Sequence, residues 1–470
     1  MSAALADLSL AELRRALRAR ETTARAVTEA VLARVQERDG HVHAFASVTA
    51  DAALGAARDA DEALARGSGG PLAGLPVAVK DLMAVRGVAR TNGSRVFQGE
   101  APATSEATVV ARLRAAGAVI VGTTHLHELA FGPTGVNPEL GTPRNAWGAD
   151  RVPGGSSSGS GAAVAARLVP GALGTDTGGS IRIPASFCGI SGLKPTYGRV
   201  SRAGVTPLSW TLDHVGPMAR SVEDLGLLLG VLAGHDPADA TSARLPVPDY
   251  GALLDRGLRG VRIGVPRDYS LKVADPEVAA GFDRALAELR SAGVAVTDVS
   301  LPTLTPLAAA ALGAIILTEA NAALEPLIGT RRDRLGLEAR VYFEFAKVVT
   351  GGHYVAAQRL RTRLYTEMLG VLERVDLLAT PGTVLPAPRI GELQVRLDGV
   401  EVGTTDAITR LTGPFNLTGL PALVIPCGFT GGGLPIGLQL VGRPFAEADV
   451  LAVGHAYQRS TDWHRRVPPG

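Results

Sequence analysis

Cysteine and aromatic residues are scarce in this 470-residue chain, which has two cysteines and only 4% Phe, Trp and Tyr. Cys188 and Cys427 lie far apart, so they cannot form a disulfide framework, and no Cys/His spacing indicates a zinc site. Neither sign of charge is in excess, because 47 Lys and Arg residues oppose 45 Asp and Glu residues. No basic block stands out, so nucleic acid is not an implied partner.

Two kinds of hydrophobic segment are also missing. The first turns carry Asp7, Glu12 and several arginines instead of the apolar stretch of a signal peptide. We find no uninterrupted run of about 18 apolar residues, which predicts that nothing spans a membrane. These absences, with the unpaired cysteines, lead us to expect a cytoplasmic protein that does not bind a membrane.

The chain does contain ample material for a large core, since 46% of its residues are hydrophobic. Short helical and strand-like patterns alternate: a helix over residues 108–116 is followed by a strand over residues 118–121. A second helix begins at Pro276 and is followed by a strand over residues 294–299. This alternation predicts an α/β fold in which helices cover a central mixed sheet.

No low-complexity linker and no internal repeat divides the sequence. We therefore predict a single domain over residues 1–470. Its expected sections are a helical N-terminal part at about residues 1–70 and a core at about residues 71–220. A helix-rich part at about residues 300–375 is expected to cover a pocket.

Two glycine-serine clusters, residues 154–161 and 174–180, are the most unusual stretches. The first has the glycine spacing of a P-loop, but Ser160 stands where that motif needs its lysine. It also half-matches a dinucleotide fingerprint, although Val164 replaces the last glycine and no strand is obvious before it. A flexible linker is excluded because the segment between the clusters is apolar and helical, so it must be buried.

A catalytic interpretation needs a nucleophile, a base and donors for an oxyanion. Thr177, Gly178, Gly179 and Ser180 offer successive backbone N–H groups, with the Ser180 hydroxyl among them. No histidine is near Ser180 in sequence, although His214 is available.

Lys80 is the alternative base, since it ends the apolar strand-like run of residues 75–79. To be largely neutral near pH 7, a lysine must have its pKa lowered by about 3 from about 10.4, which burial can achieve. The simpler interpretation of Lys80 is that the strand ends at solvent.

Three sequence blocks carry a resemblance that decides between these interpretations. They are Gly-Leu-Pro-Val-Ala-Val-Lys-Asp at residues 74–81, Pro-Gly-Gly-Ser-Ser-Ser-Gly-Ser at 153–160 and Gly-Thr-Asp-Thr-Gly-Gly-Ser-Ile-Arg-Ile-Pro-Ala at 174–185. In this order they resemble the amidase signature family of serine hydrolases. The resemblance covers roughly the whole chain, returns at residues 414–442, and implies that family's fold.

The resemblance implies a Ser–cis-Ser–Lys triad with Ser180 as nucleophile, Ser156 as bridging serine after a cis peptide bond, and Lys80 as base. The implied oxyanion donors are the N–H groups of Thr177, Gly178 and Gly179, with Ser180 contributing. Asp176 and Arg182 would support that loop by charge-assisted hydrogen bonds. Ser157, Ser158 and Ser160 are expected only to shape the first cluster, in which the family commonly has glycine at the position of Ser158.

The implied activity is hydrolysis of an amide through a serine acyl-enzyme, releasing a carboxylic acid and ammonia or an amine. Neither metal nor cofactor is expected, and the run His125-Leu-His127-Glu128 lacks a third ligand segment for a metal site. The expected partner is a small-molecule amide, and a homodimer is a candidate assembly. Phe131 and Trp210 are predicted pocket-wall aromatics, with core packing as the equal alternative.

One branch of the family is the glutaminase (A) subunit of the tRNA-dependent amidotransferase. That branch usually has glutamine at the position of His214 and alanine at the position of Phe415. These two differences favour a stand-alone amidase, while the amidotransferase glutaminase stays the alternative. A carbamate or ester hydrolase is a further alternative.

Overall fold

A computed structural model of the protein describes residues 5–304 and 306–469. The helices are α1 (Leu10–Arg18), α2 (Ala24–Val42), α3 (Ala50–Ala65), α4 (Thr108–Ala115), α5 (Ser158–Ala165), α6 (Arg182–Cys188), α7 (Val222–Leu232), α8 (Arg267–Ser270), α9 (Pro276–Ser291), α10 (Pro306–Ile328), α11 (Leu337–Ala346), α12 (Gly351–Leu372), α13 (Thr404–Thr409), α14 (Gly413–Leu417) and α15 (Glu447–Ser460). The strands are β1 (Phe45–Val48), β2 (Pro76–Lys80), β3 (Val119–Thr124), β4 (Gly171–Asp176), β5 (Ser191–Lys194), β6 (His214–Ala219), β7 (Arg262–Val265), β8 (Ala295–Asp298), β9 (Leu377–Pro381), β10 (Gln394–Leu397), β11 (Val400–Gly403), β12 (Ala422–Phe429) and β13 (Pro435–Val441).

One mixed sheet of 11 strands runs through the molecule in the order β1-β3-β2-β4-β6-β5-β12-β13-β9-β7-β8. Strands from the N-terminal and C-terminal parts of the chain belong to it, since β1 lies at one edge and β12 pairs antiparallel with β5 and β13 in the interior. Only β10 and β11 stand apart among the described strands, as a two-stranded hairpin. The prediction of a single α/β domain with a mixed sheet covered by helices is therefore confirmed.

Local signals in the sequence explain where several helices begin. Ser9 caps α1 in a capping box with Glu12, whose carboxylate accepts from the Ser9 N–H at 2.8 Å. The helical N-terminal section is nevertheless interrupted between α1 and α2, where Arg20 has a φ of +59° and Thr23 caps the second helix. Asp275 accepts from the Glu277 N–H at 2.8 Å and so starts α9.

Two of the motif blocks, residues 74–81 and 174–185, come together where the neighbouring strands β2 and β4 end. β2 is buried along its whole length and pairs in parallel with both β3 and β4. Because neighbouring parallel strands end on the same side of a sheet, Lys80 at the end of β2 lies beside the end of β4. The loop of the second glycine-serine cluster follows that point, since β4 ends at Asp176.

Helices α10, α11 and α12 form the helix-rich part between residues 306 and 372. Over Leu307–Ile328, α10 is long and apolar enough to cross a membrane by length and composition alone, which the sequence analysis did not anticipate. In this fold α10 packs against α12 and α11. Its Glu319 carboxylate accepts hydrogen bonds from Ser209 and Thr211, so this face of the helix is tied to a polar loop.

Candidate active site

The amine of Lys80 lies at the centre of the site. Its Nζ donates to Ser156 Oγ at 2.8 Å and to Thr175 Oγ1 at 2.8 Å. The side chain is fully buried, so the interpretation in which β2 simply ends at solvent is wrong.

Burial controls the charge of this lysine. Removal from water lowers the pKa of Lys80 well below its ordinary value, and Asp176 and Asp213 only partly oppose that effect. The two acceptors of the amine are neutral hydroxyls. Lys80 is therefore suited to be a neutral amine that can take up a proton.

The first glycine-serine cluster presents Ser156 to that amine. The Gly155–Ser156 peptide bond is cis, as the resemblance implied. Gly155 has no room for a side chain, because a Cβ there would lie 2.5 Å from the Gly135 nitrogen. The Ser157 N–H donates to the Ser180 carbonyl at 3.3 Å and so joins the two clusters.

The second cluster forms a tight loop between β4 and α6. Gly179 has a φ of +137°, and a Cβ there would lie 2.2 Å from Thr412 Oγ1. The Thr412 hydroxyl donates to the Gly178 carbonyl at 2.7 Å. Within the described residues, the N–H groups of Gly178 and Gly179 have no protein acceptor, so both are available to an oxyanion.

Asp176 and Arg182 make a buried ion pair beneath this loop. The guanidinium binds the carboxylate through two contacts, Nε to Oδ2 at 3.0 Å and Nη2 to Oδ1 at 2.9 Å. Burial by itself would raise the pKa of Asp176, but the charge and hydrogen bonds of Arg182 outweigh it and hold that pKa well below its ordinary value. Asp176 also accepts from the Ile181 N–H at 3.1 Å, which fixes the start of α6.

The C-terminal part of the chain completes the environment of Arg182. Its remaining donors reach the Thr412 carbonyl at 2.9 Å, Gln439 Oε1 at 2.7 Å and Asn416 Oδ1 at 2.7 Å. Asn416 also donates to Asp176 Oδ1 at 2.8 Å. Every polar atom of the pair is thereby satisfied, as a buried ion pair requires.

The other serines of the first cluster face away from the reaction centre. Ser157 Oγ donates to the Thr175 carbonyl at 3.1 Å, and Ser160 Oγ donates to the Leu173 carbonyl at 2.9 Å. Ser158 Oγ is buried without a hydrogen-bond partner among the described residues. None of these three hydroxyls is hydrogen-bonded to Lys80 or Ser156 among the described residues, and their role in shaping the loop stays a prediction.

His214 does not provide an alternative base for Ser180. Its Nδ1 donates to the Leu212 carbonyl at 2.6 Å, which leaves Nε2 to accept from Lys194 Nζ at 3.2 Å. The ring is buried, and burial lowers the pKa of His214 well below its ordinary value.

A cavity of about 250 Å³ opens at Ser180. Phe131 lies in its wall, stacked on Tyr342 with ring centroids 4.7 Å apart. Trp210 does not line this cavity: it is 58% exposed and borders a second cavity, which also reaches Thr175. The prediction that both aromatics line the pocket thus fits Phe131 and does not fit Trp210. The first cavity is mostly apolar, with walls from α8, α10, α11, α13, α14 and the segment around Ala130.

The His125–Glu128 run does not assemble a metal site. No group of three or more His, Cys, Asp or Glu side chains that could hold a metal occurs in residues 5–304 and 306–469. His127 Nε2 lies 3.3 Å from a Glu338 carboxylate oxygen, and Glu128 accepts from Ser94 Oγ at 2.6 Å. Burial lowers the pKa of His125 to about 4.

Sequence reasoning missed Thr175, Thr412, Asn416 and Gln439. Thr175 stands inside the block at residues 174–185, so the signal for it was present. Asn416 and Gln439 lie in the stretch of residues 414–442 that carries the resemblance, but the sequence does not show that they meet Arg182. Asn416 lies in α14 and Gln439 in β13, and the folded chain brings both to Arg182.

Together these contacts join the Ser156 hydroxyl to a buried amine, and the Ser157–Ser180 bond links this cluster to the one whose Ser180 lines the cavity. The Ser156 and Ser180 hydroxyls share no hydrogen bond with each other within the described structure. Catalytic hydrogen bonds are often completed only when substrate is bound.

The chain is similar to known proteins over nearly its whole length. The profile of a family described as Amidase matches residues 26–451. The chain is 45% identical over 485 residues to the A subunit of the glutamyl-tRNA(Gln) amidotransferase of Chloroflexus aggregans, covering 98% of each protein.

Two solved structures are also similar over nearly the whole chain. One belongs to a vestigial protein complex said to reveal the origins of an s-triazine catabolic enzyme, with a TM-score of 0.91, 35% identity, and coverage of 96% of this chain and 98% of that one. The other is a bacterial aryl acylamidase of the amidase signature enzymes, with a TM-score of 0.91, 28% identity and 98% coverage of both chains.

Proposed function

Because this chain belongs to the amidase family, we propose that Ser180 attacks the carbonyl carbon of a carboxamide to form an acyl-enzyme. Two observations support this proposal: the buried amine of Lys80, the proposed base, is hydrogen-bonded to Ser156, and Ser180 lines the cavity. The reaction needs no group beyond those side chains and the loop N–H groups.

In the first half of the proposed reaction, Ser156 passes its proton to the neutral Lys80 amine and takes the proton of Ser180. The new bond joins Ser180 Oγ to the carbonyl carbon. The N–H groups of Thr177, Gly178 and Gly179, with that of Ser180, donate to the oxyanion. The C–N bond then breaks as the proton returns through Ser156 to the leaving nitrogen. Water hydrolyses the ester by the same relay, which frees the acid.

We further propose that the substrate is glutamine and that the chain acts as the glutaminase component of a tRNA-dependent amidotransferase. The single observation that carries this proposal is the 45% identity to the Chloroflexus aggregans amidotransferase chain over 98% of both proteins. It outweighs the two residue differences at His214 and Phe415 on which a stand-alone enzyme was favoured. The proposed partners are accordingly further subunits instead of a second copy, and the proposed location is the cytoplasm.

A second candidate is a stand-alone hydrolase of apolar amides, favoured by the cavity at Ser180. Alanine, leucine, isoleucine and aromatic side chains make up most of its wall. Such a wall suits an acyl chain with little polarity. A carbamate or ester substrate would use the same serine.

Ammonia and acid release measured for glutamine, an anilide, a carbamate and an aliphatic amide separates these candidates. Glutamine turnover that needs co-expressed partner subunits supports the amidotransferase glutaminase. Turnover of the apolar amide or anilide by the purified chain, with glutamine untouched, supports the second candidate.

A further inference from the structure

Arg410 is an unpaired cation in the wall of the cavity that opens at Ser180. It follows α13 and precedes by two residues Thr412, which holds the Gly178 carbonyl. Its guanidinium has no acceptor or carboxylate partner among the described residues, and its Nε is buried without a hydrogen bond.

Tyr269 fixes the position of this arginine. The guanidinium carbon lies 4.8 Å from the centre of the Tyr269 ring, and the Tyr269 hydroxyl donates to the Arg410 carbonyl at 2.7 Å. Backbone and side chain are thus held by one buried aromatic residue. A guanidinium stacked in this way keeps its in-plane N–H donors free for a ligand.

Asp406 is the only other charged residue in the described wall of this cavity. It lies one turn before Arg410 and has no salt bridge among the described residues. Its carboxylate does not pair with Arg410, although residues at this spacing can interact on a helix. The wall therefore offers one cation and one anion, both unoccupied, in otherwise uncharged surroundings.

We propose that Arg410 binds a carboxylate at the far end of the acyl group whose carbonyl carbon Ser180 attacks. This specificity rests on the proposed function and narrows it to carboxamides that carry a carboxylate. A charge-assisted, two-contact bond between guanidinium and carboxylate suits such an end group. Asp406 receives an ammonium when the same end of the substrate bears one, as in an α-amino acid.

Three primary amides of matched backbone separate these contributions: glutamine, glutaramic acid and pentanamide. Glutamine carries both charges, glutaramic acid only the carboxylate, and pentanamide neither. We expect kcat/KM to be higher for glutaramic acid than for pentanamide by about 10- to 100-fold, as a charged hydrogen bond allows. Equal values for the two substrates would overturn the proposal.

Variants of Arg410 test whether this residue causes the preference for glutaramic acid over pentanamide. Arg410→Met should raise KM for glutaramic acid by about 10-fold or more, with kcat changed less, and should lower kcat/KM for pentanamide by a much smaller factor. Arg410→Lys should restore part of the affinity. Arg340→Met is the matched control, because Arg340 is exposed on α11 and does not line the cavity. An equal loss for both substrates would show a structural effect and contradict the proposal.

Binding of glutarate, the product of glutaramic acid, tests the same contact without catalysis. Calorimetry should detect glutarate binding to the wild-type protein and at least about 10-fold weaker binding to Arg410→Met. Arg410-dependent binding in a protein that cleaves no amide would refute the proposed function while confirming that Arg410 binds a carboxylate. Amide cleavage with glutarate binding that is absent or independent of Arg410 would refute the inference alone.

Discussion

Lys80 and Ser156, which are 76 residues apart in sequence, are joined by a hydrogen bond of 2.8 Å in which the lysine amine donates to the serine hydroxyl. No carboxylate among the described residues accepts from this buried amine, whose other acceptor is the Thr175 hydroxyl. Burial lowers the pKa of a lysine held in this way, which favours the neutral amine that a base requires.

Ser180→Ala should abolish amide hydrolysis, with a loss in kcat of about 10⁴-fold or more, because no other hydroxyl of the described site is placed to form the ester. Ser158→Ala is the matched control from the neighbouring cluster. Its hydroxyl is buried without a partner, so we expect unchanged kcat/KM and an equal or higher free energy of unfolding. Activity of Ser180→Ala near the wild-type level would rule out Ser180 as nucleophile.

Lys80→Met should lower kcat by about 10²- to 10⁴-fold, the usual contribution of a positioned base. The protein should remain folded, because methionine fills a similar volume and removes the cost of burying an amine. Urea denaturation measures the second part of this prediction. A large loss of stability together with activity would mean that Lys80 is needed for the fold instead of for proton transfer.

The pH profile of kcat/KM should fall on its acid side as Lys80 becomes protonated. Since burial lowers the pKa of Lys80, this fall should occur well below the ordinary lysine pKa of about 10.4. Thr175→Val removes an acceptor that favours the charged amine, so it should move the fall to still lower pH. An uncharged amide such as pentanamide is the substrate for this measurement. A decrease in kcat/KM centred near pH 10, or one that moves to higher pH in Thr175→Val, would contradict the assignment of Lys80 as the base.

Arg182→Met should lower the free energy of unfolding by about 3–5 kcal/mol, because it leaves the Asp176 carboxylate buried and unpaired. The double variant Asp176→Asn with Arg182→Met should lose less free energy of unfolding than Arg182→Met alone, because it leaves no unpaired charge. In the folded wild-type protein the pKa of Asp176 is lower than in the unfolded chain, where it is about 3.9. The ionised carboxylate therefore stabilises the fold fully above that unfolded pKa. This stabilisation is lost as the pH falls toward and through the pKa of Asp176 in the folded protein. The stability difference between wild type and double variant should therefore narrow below about pH 4. A difference independent of pH would argue against this ion pair.

Phe131→Ala should raise KM by about tenfold or more for substrates with an apolar acyl chain, since Phe131 lines the cavity at Ser180. Trp210→Ala should leave KM unchanged, because Trp210 borders the second cavity. The reverse pattern would mean that the acyl group occupies the second cavity.

The sequence predicted the α/β fold. It also supplied the candidate residues Lys80, Ser156 and Ser180, because the motif blocks are short and each carries its chemistry locally. It did not predict that Lys80 has a second acceptor in Thr175, although both lie in those blocks. The partners of Arg182 were beyond reach for a different reason. Asn416 and Gln439 are separated from it by 234 and 257 residues, and only the folded chain brings them together.

The sequence also could not show which side chains share a cavity or which charges lack a partner. Phe131 and Trp210 look alike in sequence, yet they border different cavities. Arg410 gave no sequence signal, since its meaning depends on having no partner among the described residues of the folded chain.

Mapping the acyl group during turnover tests the central claim most directly. The enzyme is mixed with an amide that it hydrolyses, and the reaction is stopped with acid during turnover. Trypsin then cleaves after Arg151, Arg167 and Arg182, which puts the two glycine-serine clusters in different peptides. Ser156 then lies in the peptide of residues 152–167 and Ser180 in that of residues 168–182. The account predicts that the mass of the acyl group appears on the second peptide and that fragmentation places it on Ser180. An acyl group on Ser156, or turnover with neither peptide modified in rapid-quench samples, would contradict it.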